Sequence, residues 1–247
     1  MEVVSAAGDA PNSSPPPLIS LALLRRETGN DEIFDLDVNE LSRRVRAGVL
    51  LKYNKEQGEA KNGEDQGKAK VGEDQGLSYT HKYWVHEKLN KNCWMVLAKV
   101  LTITWGPESH YWTWTEEKES CYHREENKVP IAELKRVCWL EITGKCTTIM
   151  LSPSTTYEVA VFVKMRSRSN GWEVPVNLSL TLPDGNKQGR MERLDRLEKE
   201  KWLKISIGKF VTTPQTVGEI SFSLTQTDGR WKSGLCVKGV VFESTTG

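Results

Sequence analysis

Val174-Pro-Val-Asn-Leu-Ser-Leu-Thr-Leu182 decides the fold. Val174, Val176, Leu178, Leu180 and Leu182 alternate with Pro175, Asn177, Ser179 and Thr181, which puts the aliphatic side chains on one face of an extended strand. A helix would scatter them around its circumference. The same period of two returns on both sides of this stretch. Tyr157, Val159, Val161, Val163 and Met165 alternate with Glu158, Lys164 and Arg166, with Ala160 and Phe162 blurring the outer face. Leu203, Ile205 and Ile207 alternate with Lys204 and Ser206, and Ile220, Phe222 and Leu224 with Ser221 and Ser223. Each reads as a half-buried strand. Turn chemistry separates them at Pro183-Asp-Gly185, Thr213-Pro214 and Asp228-Gly229. Many short strands, regular turns and almost no helical period predict an all-β fold, a β-sandwich of jelly-roll type.

The N-terminal third is composed differently. All nine tryptophans lie after residue 83, and large aromatics dominate core and contact energetics. Residues 1–35 read as a mostly disordered extension, small, polar and Pro-rich at its start. A short helical segment is expected over 36–53. Asp37-Val-Asn-Glu40 has the form of a capping box, Val38, Leu41 and Val45 follow at helical spacing, and Gly48 stands where a helix stops. The pattern leaves open whether that helix docks on the main domain or on a partner. Residues 54–80 read as a low-complexity linker in which Gly63-Glu-Asp-Gln-Gly67 recurs as Gly72-Glu-Asp-Gln-Gly76. A slipped duplication explains the repeat more simply than a tandem binding motif. The main domain is expected over 81–247.

Charge and cysteines narrow the function classes. Lys and Arg total 34 against 33 Asp and Glu, a formal charge of +1, so no global field favours nucleic acid or an acidic membrane. The apolar run Leu18–Leu24 is too short to span a bilayer, and Arg25 and Arg26 follow it rather than precede it. No membrane insertion is expected, and the chain reads as cytoplasmic or nucleocytoplasmic. The sequons at Asn12 and Asn177 would then be silent. The five cysteines form no C-x-x-C pair and read as free thiols. Cys121-Tyr-His123 offers two metal ligands without others nearby. No metal or cofactor is therefore expected.

The densest chemical signal is Thr104-Trp-Gly-Pro-Glu-Ser-His-Tyr-Trp-Thr-Trp-Thr115. Strand spacing puts Trp112 and Trp114 on one face, with Tyr111 and Thr113 on the other, so one pair must face away from the core. Exposed aromatics in a cluster usually mark a binding surface. Sugars suit one, because a pyranose lays its C–H face on an indole ring while its hydroxyls take fixed polar partners. The expectation is that Trp105 and Trp112 point outward; the competing reading makes them core of a Trp-rich domain. The second signal is Asp228-Gly-Arg-Trp231, where a Trp follows a turn and Lys232 and Ser233 stand by as donors. There a hairpin Trp covering the core edge is an equal reading.

Several ordered motifs together resemble one family. Ile103-Thr-Trp105, Tyr111-Trp-Thr-Trp114, Ala132-Glu-Leu-Lys-Arg-Val-Cys-Trp-Leu-Glu-Ile-Thr-Gly144 and Trp231-Lys-Ser-Gly234 with Val237-Lys-Gly239 look like the phloem protein 2 family of plants, related to the tobacco agglutinin type of lectin. Asp37-Val-Asn-Glu-Leu41, Arg46-Ala-Gly-Val-Leu-Leu-Lys52, Tyr83-Trp84 and Asn92-Cys93 resemble its longer members without an F-box. The likeness covers the chain from about residue 36, apart from the repeat linker.

The resemblance implies a jelly-roll sandwich, a homodimer, residence in phloem sieve elements and companion cells, and binding to N-acetylglucosamine oligomers and N-glycan cores on glycoproteins. Defence or wound sealing is the role it suggests. The family's implicated tryptophans match Trp105 and Trp112. Its two late carboxylates match Glu219 and Gln226, the second a departure, although Gln still donates and accepts hydrogen bonds. Its Lys-rich nuclear-localisation run is replaced by the mixed-charge stretch Lys187–Lys204, with seven basic and four acidic residues. The resemblance also implies association with phloem filament proteins and RNA, and Trp202 among basic residues is the place for a single strand to stack. Glycoside hydrolysis needs two carboxylates at a set separation. Glu108, Glu116, Glu117, Glu141 and Glu219 are candidates, but no catalytic motif accompanies them. The prediction is a non-catalytic lectin.

Overall fold

The computed structural model describes residues 37–52, 79–121 and 127–246. They form two antiparallel sheets packed face to face. The first strands are β1 (Val49–Lys52), β2 (Tyr79–Val85), β3 (Asn92–Leu97), β4 (Thr102–Ile103), β5 (Trp112–Lys118), β6 (Lys128–Leu134) and β7 (Leu140–Thr147). Then come β8 (Thr156–Asn170), β9 (Val176–Thr181), β10 (Lys187–Glu192), β11 (Trp202–Val211), β12 (Glu219–Gln226) and β13 (Ser233–Ser244). The smaller sheet has five strands in the order β10-β9-β12-β7-β4. The larger has eight, and β13 is its spine: β8 pairs with one edge, while β3 and β6 share the other. The fold is an all-β sandwich, as the alternation requires.

Burial follows the sequence period on the small sheet. In β9, Val176, Leu178 and Leu180 are buried while Asn177 and Ser179 are exposed, and β12 sends Ile220, Phe222 and Leu224 inward. The large sheet breaks the pattern because it is covered on both faces. β3 is buried at every residue. A second apolar cluster of Leu50, Met95, Leu97, Val129, Ile131, Cys236 and Val241 lies on its outer side, with Trp84, Phe162 and Trp202 packed over it. Ionic side chains roof that cluster. Glu119 pairs with Lys82 at 2.6 Å and Lys238 at 3.0 Å, and Glu117 pairs with Lys164 while accepting the Trp202 indole N–H at 2.7 Å. The ammonium groups of Lys164 and Lys238 lie 4.6 and 4.8 Å from the Trp202 ring centroid. Trp202 is thus engaged within the fold by two ammonium groups and a carboxylate while remaining half-buried.

The helix α1 spans Val38–Ala47 and buries Leu41 and Val45. Gly48, at φ 98°, donates its N–H to the Arg44 carbonyl and closes the helix. The start differs from the expected capping box. Asp37 makes no side-chain cap bond, and Glu40 instead pairs with Arg43 and Arg44. Arg46 donates to the Glu87 carbonyl at 2.7 Å and to Asn90 Oδ1, which docks the helix on this domain. The chain then continues as β1 along β2, with Leu50 opposite Lys82. Val49-Leu-Leu51 shows no alternation because these residues are buried on both sides of the sheet. The proposed disordered tail, the GEDQG repeat, Leu18–Leu24 and His123 lie outside the described residues. Among the described residues no helix is long and apolar enough to cross a membrane.

Candidate functional site

One end of the sandwich gathers the loops that precede β5, β7 and β13. They interlock through backbone bonds. The Lys135 N–H donates to the Tyr111 carbonyl at 2.8 Å, Thr104 N–H to Glu141 O at 3.0 Å, and Val137 and Lys232 exchange bonds of 3.0 and 2.7 Å. Trp105, Trp139 and Trp231, the exposed tryptophans of the chain at 37 %, 49 % and 52 %, all sit on these loops.

Trp105 occupies a tight turn of unusual geometry. Its φ is 57°, in the left-handed region that bulky residues seldom enter. Ile103 O accepts from Gly106 N–H at 2.8 Å, and Trp105 O from Glu108 N–H at 2.9 Å. The indole tilts over Tyr111 with ring centroids 5.0 Å apart. Such strain persists only where surrounding structure holds it, and it concentrates at functional positions. Trp112 and Trp114 do the holding. The indole N–H of Trp112 donates to Thr104 O at 3.1 Å, and that of Trp114 to Gly106 O at 2.9 Å. These carbonyls flank Trp105, so two rings anchor the turn from beneath.

This corrects the expectation for Trp112. Its ring is buried at 2 % exposure in the main core, and Trp114 packs against the same core. Of the two faces of β5, the one bearing Trp112 turns inward, and Tyr111, just before the strand, is half-buried between the main core and Trp105. Trp112 supports the Trp105 turn from within and does not present its own ring to solvent.

The other two rings are also held. Trp139 points its indole N–H at Glu141 Oε2, 3.4 Å away, and the Arg136 guanidinium lies 4.7 Å from the centroid of Trp231. Lys232 is the clip between their loops. It is fully buried, and its ammonium donates to Cys138 O at 2.9 Å, Arg230 O at 2.6 Å and Asp228 Oδ1 at 3.3 Å. A buried charge costs little only when its donors are satisfied, as here. Burial pushes the Asp228 carboxyl up, but the Arg230 N–H and the Lys232 ammonium outweigh it and hold the group below the usual carboxylate range.

The remaining expected residues are not brought to this surface. Gln226 is 2 % exposed on the inner side of β12; its carbonyl accepts weakly from Asp228 N–H, and its Nε2 has no partner. The expectation of a sugar-facing amide is corrected accordingly: the last inward position of β12 points between the sheets. Glu219 is exposed but starts β12 at the opposite end, roughly 23 Å along the strand from Gln226. There it pairs with Lys145 at 2.8 Å. Of the expected set, Trp105 and Trp231 reach the loop surface. Trp139 was missed, although Trp139, Glu141 and Thr143 alternate with buried Leu140 and Ile142 and so signal an outward ring. Among the described residues, no cluster of three His, Cys, Asp or Glu side chains could hold a metal ion.

A family model described as phloem protein 2 matches residues 91–244. Protein phloem protein 2-like A1 of Arabidopsis thaliana is 38% identical over 213 residues, 85% of this chain and 75% of its own length. A protein named lectin from Luffa acutangula is 37% identical over 165 residues, 66% of this chain and 76% of its own. Among solved structures, the CBM22-1 xylan-binding domain of Paenibacillus barcinonensis Xyn10C aligns at 12% identity with a TM-score of 0.34, over 61% of this chain and 89% of that one. So loose a likeness carries no argument. The two sequence relatives and the span of the family match agree, and the chain belongs to the phloem protein 2 family.

Proposed function

We propose that this protein is a non-catalytic lectin of the phloem, and that its ligand rests on the exposed indoles of the loop end. The carrying observation is the gathering of Trp105, Trp139 and Trp231 on three interlocked loops, with Trp105 held in a strained turn. Rigid apolar rings with polar groups at the rim (Glu141, Arg136 and Tyr111) suit the C–H faces and hydroxyls of a saccharide. The relative from Luffa acutangula carries the name lectin, which favours the same reading. Within it, N-acetylglucosamine oligomers and N-glycan cores are the ligands to try first. A homodimer would present two such platforms and gain avidity without new contacts.

The test is retention on a chitin column and on a glycan array, with circular dichroism alongside. Alanine at Trp105, Trp139 and Trp231 together should abolish retention and leave the fold intact. Undiminished binding by that triple variant would overturn the assignment. Chitohexaose incubated with the protein should stay at full length; shortened products would refute the non-catalytic reading.

A further inference from the structure

The outer face of the five-stranded sheet sinks into a hollow whose Thr143 stands four residues after Trp139, roughly 13 Å along the extended chain. Ser223 on β12 faces Thr143 on β7 and Ser179 on β9, and Thr102 on β4 faces Thr143. One step along, Ser221 faces Lys145. Hydroxyl side chains from four strands thus meet on one surface, where an exposed sheet usually carries long charged residues. The hollow holds about 430 Å³, and Gly144 and Phe222 form its floor. That volume falls within the range of small-ligand sites. Glycine is required at the floor, because a Cβ on residue 144 would come within 2.5 Å of the Phe222 ring.

The rim says what the hollow would take. Lys145 and Glu219 stand at one side and neutralise each other at 2.8 Å. Val100, exposed at 43 %, stands at another. The rest of the lining is uncharged, so neither an anion nor a cation finds an unpaired opposite charge. The hydroxyls each donate and accept, and Ser179 and Ser223 already share one bond of 2.7 Å. A ligand that matches such a wall is itself neutral and rich in hydroxyls. The four strands span about 14 Å, room for a short run of sugar rings lying across them. Glu219, far from Gln226 along β12, then has a place: its pair with Lys145, which lines the hollow, offers an acceptor and a donor at the edge.

We infer that this hollow is a second saccharide subsite, taking an uncharged linear glycan chain, and separate from the indole platform. It does not depend on the indoles binding the same ligand. The test uses the full chain, isotope-labelled, titrated in turn with chitohexaose, cellohexaose and xylohexaose. At least one hexaose should shift the backbone amides of Thr143, Ser179 and Ser223, in the native protein and in the triple indole variant alike. Ser179→Arg with Ser223→Arg should weaken that response by roughly tenfold or more. Thr143→Val, which keeps the shape and removes one hydroxyl, should weaken it less and guards against misfolding of the double variant. The inference falls if no hexaose moves these amides, or if the response is undiminished in both hollow variants. It falls as well if the response vanishes with the indoles, since the hollow would then be an extension of the loop site.

Discussion

The two outer faces of this sandwich are built on opposite principles. On the large sheet, Glu117 and Glu119 meet Lys82, Lys164 and Lys238 over a layer of Trp84, Phe162 and Trp202, and the apolar cluster beneath is sealed. On the small sheet, Thr102, Thr143, Ser179, Ser221 and Ser223 leave the backbone thinly covered. Tryptophan itself divides the same way. The Trp202 ring is occupied by ammonium groups of its own chain, whereas Trp105 rests on Tyr111 at a loop tip, exposed to solvent. An aromatic side chain therefore offers a binding surface where solvent still reaches its ring, as at Trp105, Trp139 and Trp231, whatever partner its own chain supplies at one side.

Breaking a buried support should cost far more than removing an exposed ring. Trp112→Ala is expected to lower unfolding free energy by about 3–5 kcal/mol, and to release the turn that presents Trp105. Trp105→Ala should cost under about 1 kcal/mol while abolishing glycan retention. Urea denaturation of the two variants decides this, and equal losses would erase the distinction between inward and outward indoles.

The sealed face offers the next largest effect. Glu119→Ala strands Lys82 and Lys238 over the outer cluster, at an expected cost of about 2–3 kcal/mol. Ser223→Ala on the open face should stay within about 0.5 kcal/mol. Comparable losses in thermal and urea melts would mean that the hydroxyl surface, too, holds the fold together.

Acid should act on the sealed face in the same sense. Burial pushes the Glu119 and Glu117 carboxyls up, but the lysines, and for Glu117 also the Trp202 indole, hold both below the usual range. A carboxylate depressed in the fold contributes stability that is full above its unfolded value of about 4.3 and is lost as pH falls through the folded one. Urea midpoints should therefore drop below about pH 4, and Glu119→Gln should flatten that acid limb. An unchanged limb would show that the roof contributes nothing through ionisation.

The smallest effect is a matter of access. Burial pushes the Cys93 thiol to about 11 and those of Cys146 and Cys236 to about 12, so all three stay protonated near pH 8. Iodoacetamide should spare them in the native protein and modify the partly exposed Cys121 and Cys138 first. Because Cys236 lies beneath the ionic roof, Glu119→Ala should raise its labelling, as read by peptide mass spectrometry. Labelling of Cys236 that does not respond would mean that the roof does not gate the cluster.

Much of the framework was legible along the chain. The alternation in β9 and β12 named their inner faces, and the Val38, Leu41, Val45 spacing before Gly48 matched the helix Val38–Ala47. Three features were not. Val49-Leu-Leu51 hid a strand because both of its faces are buried. Trp112 and Gln226 were expected at the surface and lie inside, since alternation separates two faces without saying which is inner. On β5 the faces carry tryptophan on one side and threonine on the other, and either could have been packed. The pairing of Trp112 with Leu134, and the Thr104 carbonyl waiting for its indole N–H, settled the matter.

By itself, the sequence determined what is local. The period of two, the turn residues and the uneven placement of tryptophan follow from each residue's own geometry and transfer free energy, and they suffice for an all-β domain with aromatic-rich loops. Only the tertiary structure decided which rings keep an open face. That choice depends on partners far apart in the chain: Lys238 reaches Trp202, Arg136 reaches Trp231, and Glu219 is carried to Lys145, away from the indoles. Such contacts arise when strands pair across the fold, and no local pattern encodes them.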